Sequence, residues 1–212
     1  MSSTYGYSKG EEIANAIIHG IGALLSVAAL VLLTVVSTSQ GTVWHAVSFI
    51  LFGASMLFLF TCSTLAHSVP RGKVKHLFDI LDHAAIYLFI AGTYTPFMFI
   101  AVKGTLGWTL LGIVWGLAIA GTIFKSIFVK RFVYLSTVLY LLLGWLIMFA
   151  WKPLVANVPQ QGMSLLVAGG LIYTVGAVFF VWKGFRFHHA IWHLSVLGGS
   201  VTHFFAVLTL IS

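Results

Sequence analysis

The sequence predicts an all-α fold: a bundle of seven transmembrane helices, with the amino terminus in the cytoplasm and the carboxyl terminus outside. Three observations lead there. The 212-residue chain is 60% hydrophobic and 7% charged, with a mean hydropathy of +1.05, whereas a soluble domain carries roughly 25% charged residues. It contains seven apolar runs, each close to the length of about 20 residues that crosses a hydrocarbon core as a helix. Its basic residues also alternate in density from loop to loop.

The first run lies near residues 13–36. It follows Glu11 and Glu12 and has no small-residue cleavage site behind it, so it reads as a span rather than a signal peptide. The second, near 44–67, ends on "STLAH", and the third, near 79–101, opens with "DILDH". Pro96 in "GTYTPF" is expected to kink the third helix in its outer half, where freed carbonyls need other partners. The fourth run, near 105–125, carries Gly112 and Gly116 in a G-x-x-x-G pattern expected to pack inside the bundle. The fifth and sixth lie near 132–151 and 163–183, and the seventh, near 189–211, is introduced by "HHAIWH". The connections are short and no low-complexity segment intervenes, so residues 1–212 read as one domain. Cys62 is the single cysteine, which excludes an intramolecular disulfide.

Seven crossings place the amino-terminal tail on the same side as the loops after helices 2, 4 and 6. Those segments hold Lys9, Arg71, Lys73, Lys75, Lys125, Lys130, Arg131, Lys183 and Arg186; the other side has Lys103 and Lys152. Basic loops resist translocation, so the richer side is cytoplasmic. The net charge of +7 is thereby explained by topology and contact with anionic lipids, not by a nucleic-acid groove. Trp44, Trp108 and Trp151 fall near the expected outer interface, where amphipathic rings favour the headgroup region.

An ionisable group at the centre of a span costs about 2.5–3.5 kcal/mol, so each needs an explanation. Helix 2 runs inward while helices 3 and 7 start at the inner side, so Ser63 and His67, Asp79, Asp82 and His83, and the histidines of "HHAIWH" share one depth. His189 and His193 are four apart and lie on one helical face. With His67 as a third ligand, they match the three-histidine pattern of a catalytic zinc with an open fourth position, although imidazole also suits Cu, Fe and Ni. Asp82 is placed to hold the water or orient a ligand ring, and Ser63 shares the helical face of His67. His83 and His188 read as interfacial residues; His45 and His203 lie toward the outer side. Glu12, Asn15 and His19 form a polar stripe on the first turns of helix 1, either facing the same cavity or joining helix 1 to its neighbours.

The segments "EEIANAIIHGIG", "STLAH", "DHAAIYLFIAGTYTP" and "HHAIWHLSVLGGSVTHF" resemble the signature segments of the bacterial haemolysin III proteins, the prokaryotic branch of the progestin and adipoQ receptor family. The matching segments span nearly the whole chain in order. The resemblance implies a multi-pass protein of a bacterial inner membrane with zinc near the cytoplasmic face. It also maps the family's ligands onto His67, His189 and His193, and its Asp and Ser onto Asp82 and Ser63. A wider group including alkaline ceramidases suggests a zinc-dependent hydrolase of a lipid amide or ester, with Asp82 positioning water and membrane lipids as partners. The alternative is a non-enzymatic regulator of membrane fluidity or energetics with a structural zinc. A pore-forming cytolysin fits poorly, because seven constitutive spans leave no soluble form.

Overall fold

A computed structural model describes residues 7–129 and 131–211 of the chain; Lys130, counted above among the basic residues, lies outside them. Among the described residues there is no strand, and seven helices are long and apolar enough to span a membrane. Helix α1 is Lys9–Gln40, α2 is Val43–Ser68, α3 is Lys73–Pro96 and α4 is Gly104–Phe128. Helices α5 (Val133–Trp145) and α6 (Trp151–Asn157) together make the fifth span, followed by α7 (Gln160–Val181) and α8 (His188–Leu208).

Helix α1 starts four residues before the apolar run that announces it. The Ser8 side chain caps the Glu11 amide, and the Glu11 carboxylate accepts from the Ser8 backbone at 2.8 Å, a reciprocal capping box. Its buried stripe is small or polar except at Leu33: Asn15, His19, Gly22, Ser26, Ala29, Leu33 and Ser37. Leu24, Ile17 and Val31 face outward. Lipid tails solvate large apolar side chains as well as a protein interior does, so small residues take the helix–helix contact. Gly22 lies so close to α2 that a Cβ would meet the Phe60 ring at 2.5 Å.

Helix α3 has the largest buried share of any span and forms the centre of the bundle, between α2 and α4. Helix α8 packs against α7 and closes onto α1. At Pro96 the α-helix ends and a π-helical segment, Phe97–Val102, continues the span. The fifth span also breaks, through a 3₁₀ segment at Leu146–Ala150. Its loosened carbonyls are met from α3: the Tyr94 hydroxyl lies 2.8 Å from the Leu143 oxygen and 2.7 Å from that of Gly144. Asn157 similarly donates to the Ala101 carbonyl at 2.9 Å, as a dry environment requires of irregular backbone. Between these two breaks lies an apolar cavity of about 140 Å³ with Tyr94, Phe97, Gly144 and Trp151 in its walls.

Two expectations change. Gly112 and Gly116 do not pack inside the bundle: both are exposed, and a Cβ on either would meet nothing within 4 Å. Their face of α4 points outward because Leu110, Leu111, Val114 and Ala118 supply the buried stripe. His83 and His188 are buried rather than interfacial, at 7% and 6% exposure. Trp44 and Trp108 do share one end of the bundle, with rings 5.8 Å apart.

Candidate metal centre

The end of α2 and the starts of α1, α3 and α8 meet at the amino-terminal end of the bundle. There His67, His189 and His193 converge, each offering a ring nitrogen, with the three nitrogens within 4.8 Å of one another. Their ring centroids are 4.4 to 5.4 Å apart. Tetrahedral bonds of about 2.05 Å put ligand nitrogens about 3.3 Å apart, so modest ring rotations would close the set on a cation.

The hydrogen bonds behind the rings decide which nitrogens point inward. His67 Nδ1 donates to Glu12 Oε2 at 2.5 Å, leaving Nε2 with its lone pair free. His193 Nδ1 pairs with His19 Nε2 at 2.6 Å, again leaving Nε2. Among the described residues, no hydrogen-bond partner meets the buried His67 Nε2, His193 Nε2 and His189 Nδ1. One orphaned buried polar atom costs about 1–3 kcal/mol, and three on facing rings fit a divalent cation that would satisfy them together. The polar stripe of α1 is therefore the support of the centre: Glu12 and His19 fix two of its rings, the usual arrangement behind metal-binding imidazoles. Asn15, between them, is fully buried, and its side chain has no hydrogen-bond partner among the described residues.

All four side-chain carboxylates, Glu11, Glu12, Asp79 and Asp82, gather at this end. Glu12 also lies 3.5 Å from Lys75 Nζ, and Lys75 lies 3.8 Å from Asp79 and donates to the Ala66 carbonyl. Lys75 thus ties α3 to the last turn of α2, one residue before His67. Asp82 lines a cavity of about 20 Å³ together with His19, His83, His189 and His193. That volume holds about one water. Ser63 is fully buried one turn before His67, without a hydrogen-bond partner and outside the walls of that cavity. His83 and His188 turn their Nδ1 atoms to the Asp79 and Phe179 carbonyls, at 2.8 and 3.0 Å. His45 contacts the Leu210 carbonyl at 3.2 Å, and His203 the Leu166 carbonyl at 3.1 Å, both far along the bundle.

Sequence reasoning missed Tyr7. Its ring stacks on His189 at 4.9 Å and 25°, and lies 6.3 Å from His67. Burial and the charges of Glu12 and Asp82 push its phenol well above the usual range, so it stays neutral. The signal was the S-x-x-E pattern of Ser8 and Glu11, which starts the helix at Lys9 and sets Tyr7 at its mouth. Lys75 was counted only as a topology charge.

Seven spanning helices with three convergent histidines at one end define a multi-pass membrane protein with a candidate metal centre. The chain belongs to the haemolysin III-related family, whose model matches residues 7–204. It is 57% identical over 198 residues to Hemolysin-3 of Bacillus cereus, covering 93% of this chain and 90% of that one. It is equally similar to the Hemolysin-3 homolog of Bacillus subtilis strain 168, covering 93% of each. The human monocyte to macrophage differentiation factor is 31% identical over 204 residues, covering 93% of this chain and 83% of the relative.

Proposed function

We propose that this protein is a zinc-dependent hydrolase of a lipid amide or ester in a bacterial inner membrane, with the histidine-bearing end facing the cytoplasm. The strongest support is the adjacency of two cavities. Leu59, Ile86, Phe180, Trp192 and Val196 line both the 20 Å³ space beside Asp82 and the 140 Å³ apolar space between α3, α5, α7 and α8. The larger space is similar in size to an engineered cavity of about 150 Å³ that binds benzene, enough for a stretch of acyl chain. A carbonyl at the junction would have its chain in apolar surroundings and its reacting carbon beside a water position.

A divalent ion at the three histidines supplies Lewis acidity there. The protein's own residues do the rest. Glu12 and His19 hold the ligand rings, Asp82 orients water and takes up its proton, and the walls of the apolar cavity keep other water out. The orientation rests on the nine-to-two distribution of basic residues.

The test is hydrolysis of fluorogenic lipid amides and esters by purified, zinc-loaded protein. Asp82→Asn is expected to retain metal and lose about 10²–10⁴ of the turnover, the range of general acid–base catalysis. Metal-loaded wild type without turnover on any acyl substrate would defeat the hydrolase reading. One observation favours the alternative, a structural zinc in a regulator of membrane state: Tyr7 covers His189 in this structure. Under that alternative Asp82→Asn changes stability or metal retention and no turnover exists to lose.

A further inference from the structure

The ring that covers the centre stands apart from the others that touch it. His19, Phe180, His188 and Tyr7 have ring contacts with the three histidines, and among these described residues Tyr7 alone lies outside a helix. Helical walls move collectively in μs–ms, whereas a segment outside a helix moves in ns–μs.

The segment carrying Tyr7 is anchored at a defined point. Glu11 Oε2 accepts from the Ser8 backbone and hydroxyl at 2.8 and 2.7 Å, while its Oε1 accepts from the Phe187 amide at 3.0 Å. Phe187 has φ 63° and is the N-cap of α8, so one carboxylate ties the start of α1 to the residue before His188 and His189. This clamp holds the Tyr7 backbone beside His189, where its ring stacks on the imidazole. On the outer side of Tyr7 lies an open vestibule of about 350 Å³, lined by Tyr7, Glu11, Lys183, Arg186 and His188. The Tyr7 ring therefore stands between this open space and the buried nitrogens of the three histidines.

We propose that Tyr7 is the gate of the metal centre, and that ions enter and leave through the vestibule when its ring swings off His189. This rests on the three histidines holding a metal, but not on the hydrolase reading. Lys183 and Arg186 outnumber Glu11 in the vestibule, so an anionic chelator is drawn to the mouth of this route.

The experiment follows zinc exchange in the full-length protein in detergent, for wild type, Tyr7→Ala and Tyr7→Phe. Release into excess polycarboxylate chelator and loading from a metal buffer are each timed with a chromophoric indicator. Tyr7→Ala is expected to accelerate both about tenfold, the equivalent of one aromatic stack, with equilibrium affinity unchanged. Tyr7→Phe keeps a ring to stack on His189 and should exchange more slowly than Tyr7→Ala. Equal rates in Tyr7→Ala and wild type would overturn the gate. So would faster release with unchanged loading, which would make Tyr7 a stabiliser of the bound state. Wild type that holds no zinc under any loading condition would overturn the metal centre itself, and the gate with it.

Discussion

Glu12→Gln tests the support behind His67. The substitution keeps the shape of the side chain and removes its charge, so the 2.5 Å contact to His67 Nδ1 becomes a bond to a neutral acceptor. Charge-assisted bonds of this kind are roughly twice as strong as neutral ones, and the Glu12 side chain is only 16% exposed, so solvent replaces little of the loss. Removing such a partner typically costs 10–100-fold in metal affinity. Glutamine still accepts one hydrogen bond, which places the expected loss near the lower end, about tenfold or 1.4 kcal/mol. Lys75 keeps Asp79 at 3.8 Å and the Ala66 carbonyl, so the junction of α2 and α3 should survive. Zinc affinity would be measured by competition with a chelating indicator, alongside thermal unfolding of the metal-free proteins. Unchanged zinc affinity in Glu12→Gln, where His67→Ala abolishes binding, would refute the claim that Glu12 tunes the ligand. A fall in metal-free stability large enough to explain the affinity change would refute it equally.

His193→Ala removes a proposed ligand nitrogen and the partner of His19, so metal content by plasma mass spectrometry should fall from about one zinc per chain to none. Gly22→Ala drives a methyl group into the Phe60 ring and should cost about 1–3 kcal/mol in detergent unfolding. It should also weaken zinc binding, because Phe60 packs edge-on against His19 at 4.9 Å. Gly112→Ala and Gly116→Ala, with open space at each Cβ, should be neutral or stabilising by up to about 1 kcal/mol in the same assay; a loss at either would show that this face is covered.

Much of the candidate site was legible because membrane topology constrains depth. Once seven spans are counted, the end of one helix and the starts of three others must lie at one level, and His67, Asp82, His189 and His193 fall there without knowledge of packing. Element boundaries were less legible. Hydropathy reports where lipid begins, whereas the Ser8–Glu11 capping box decides where the helix begins. The interruption at Leu146–Ala150 had no hydropathy signal at all, because apolar residues continue through it. The direction of Gly112 and Gly116 was misread for a related reason: small residues permit close approach, but whether a neighbour arrives depends on where the other helices are.

Composition and period thus determined by themselves that this chain spans a membrane seven times and collects most of its histidines and its side-chain carboxylates near one end. Both follow from the cost of placing charge or open backbone in hydrocarbon, which acts on every residue regardless of its neighbours. The tertiary structure decided azimuth: that Glu12 backs His67, that His19 backs His193, that Asp82 shares a water-sized space with His189, and that Tyr7 closes over them. Rotation about a helix axis costs nothing in a uniform apolar solvent, so only contact between helices can set it.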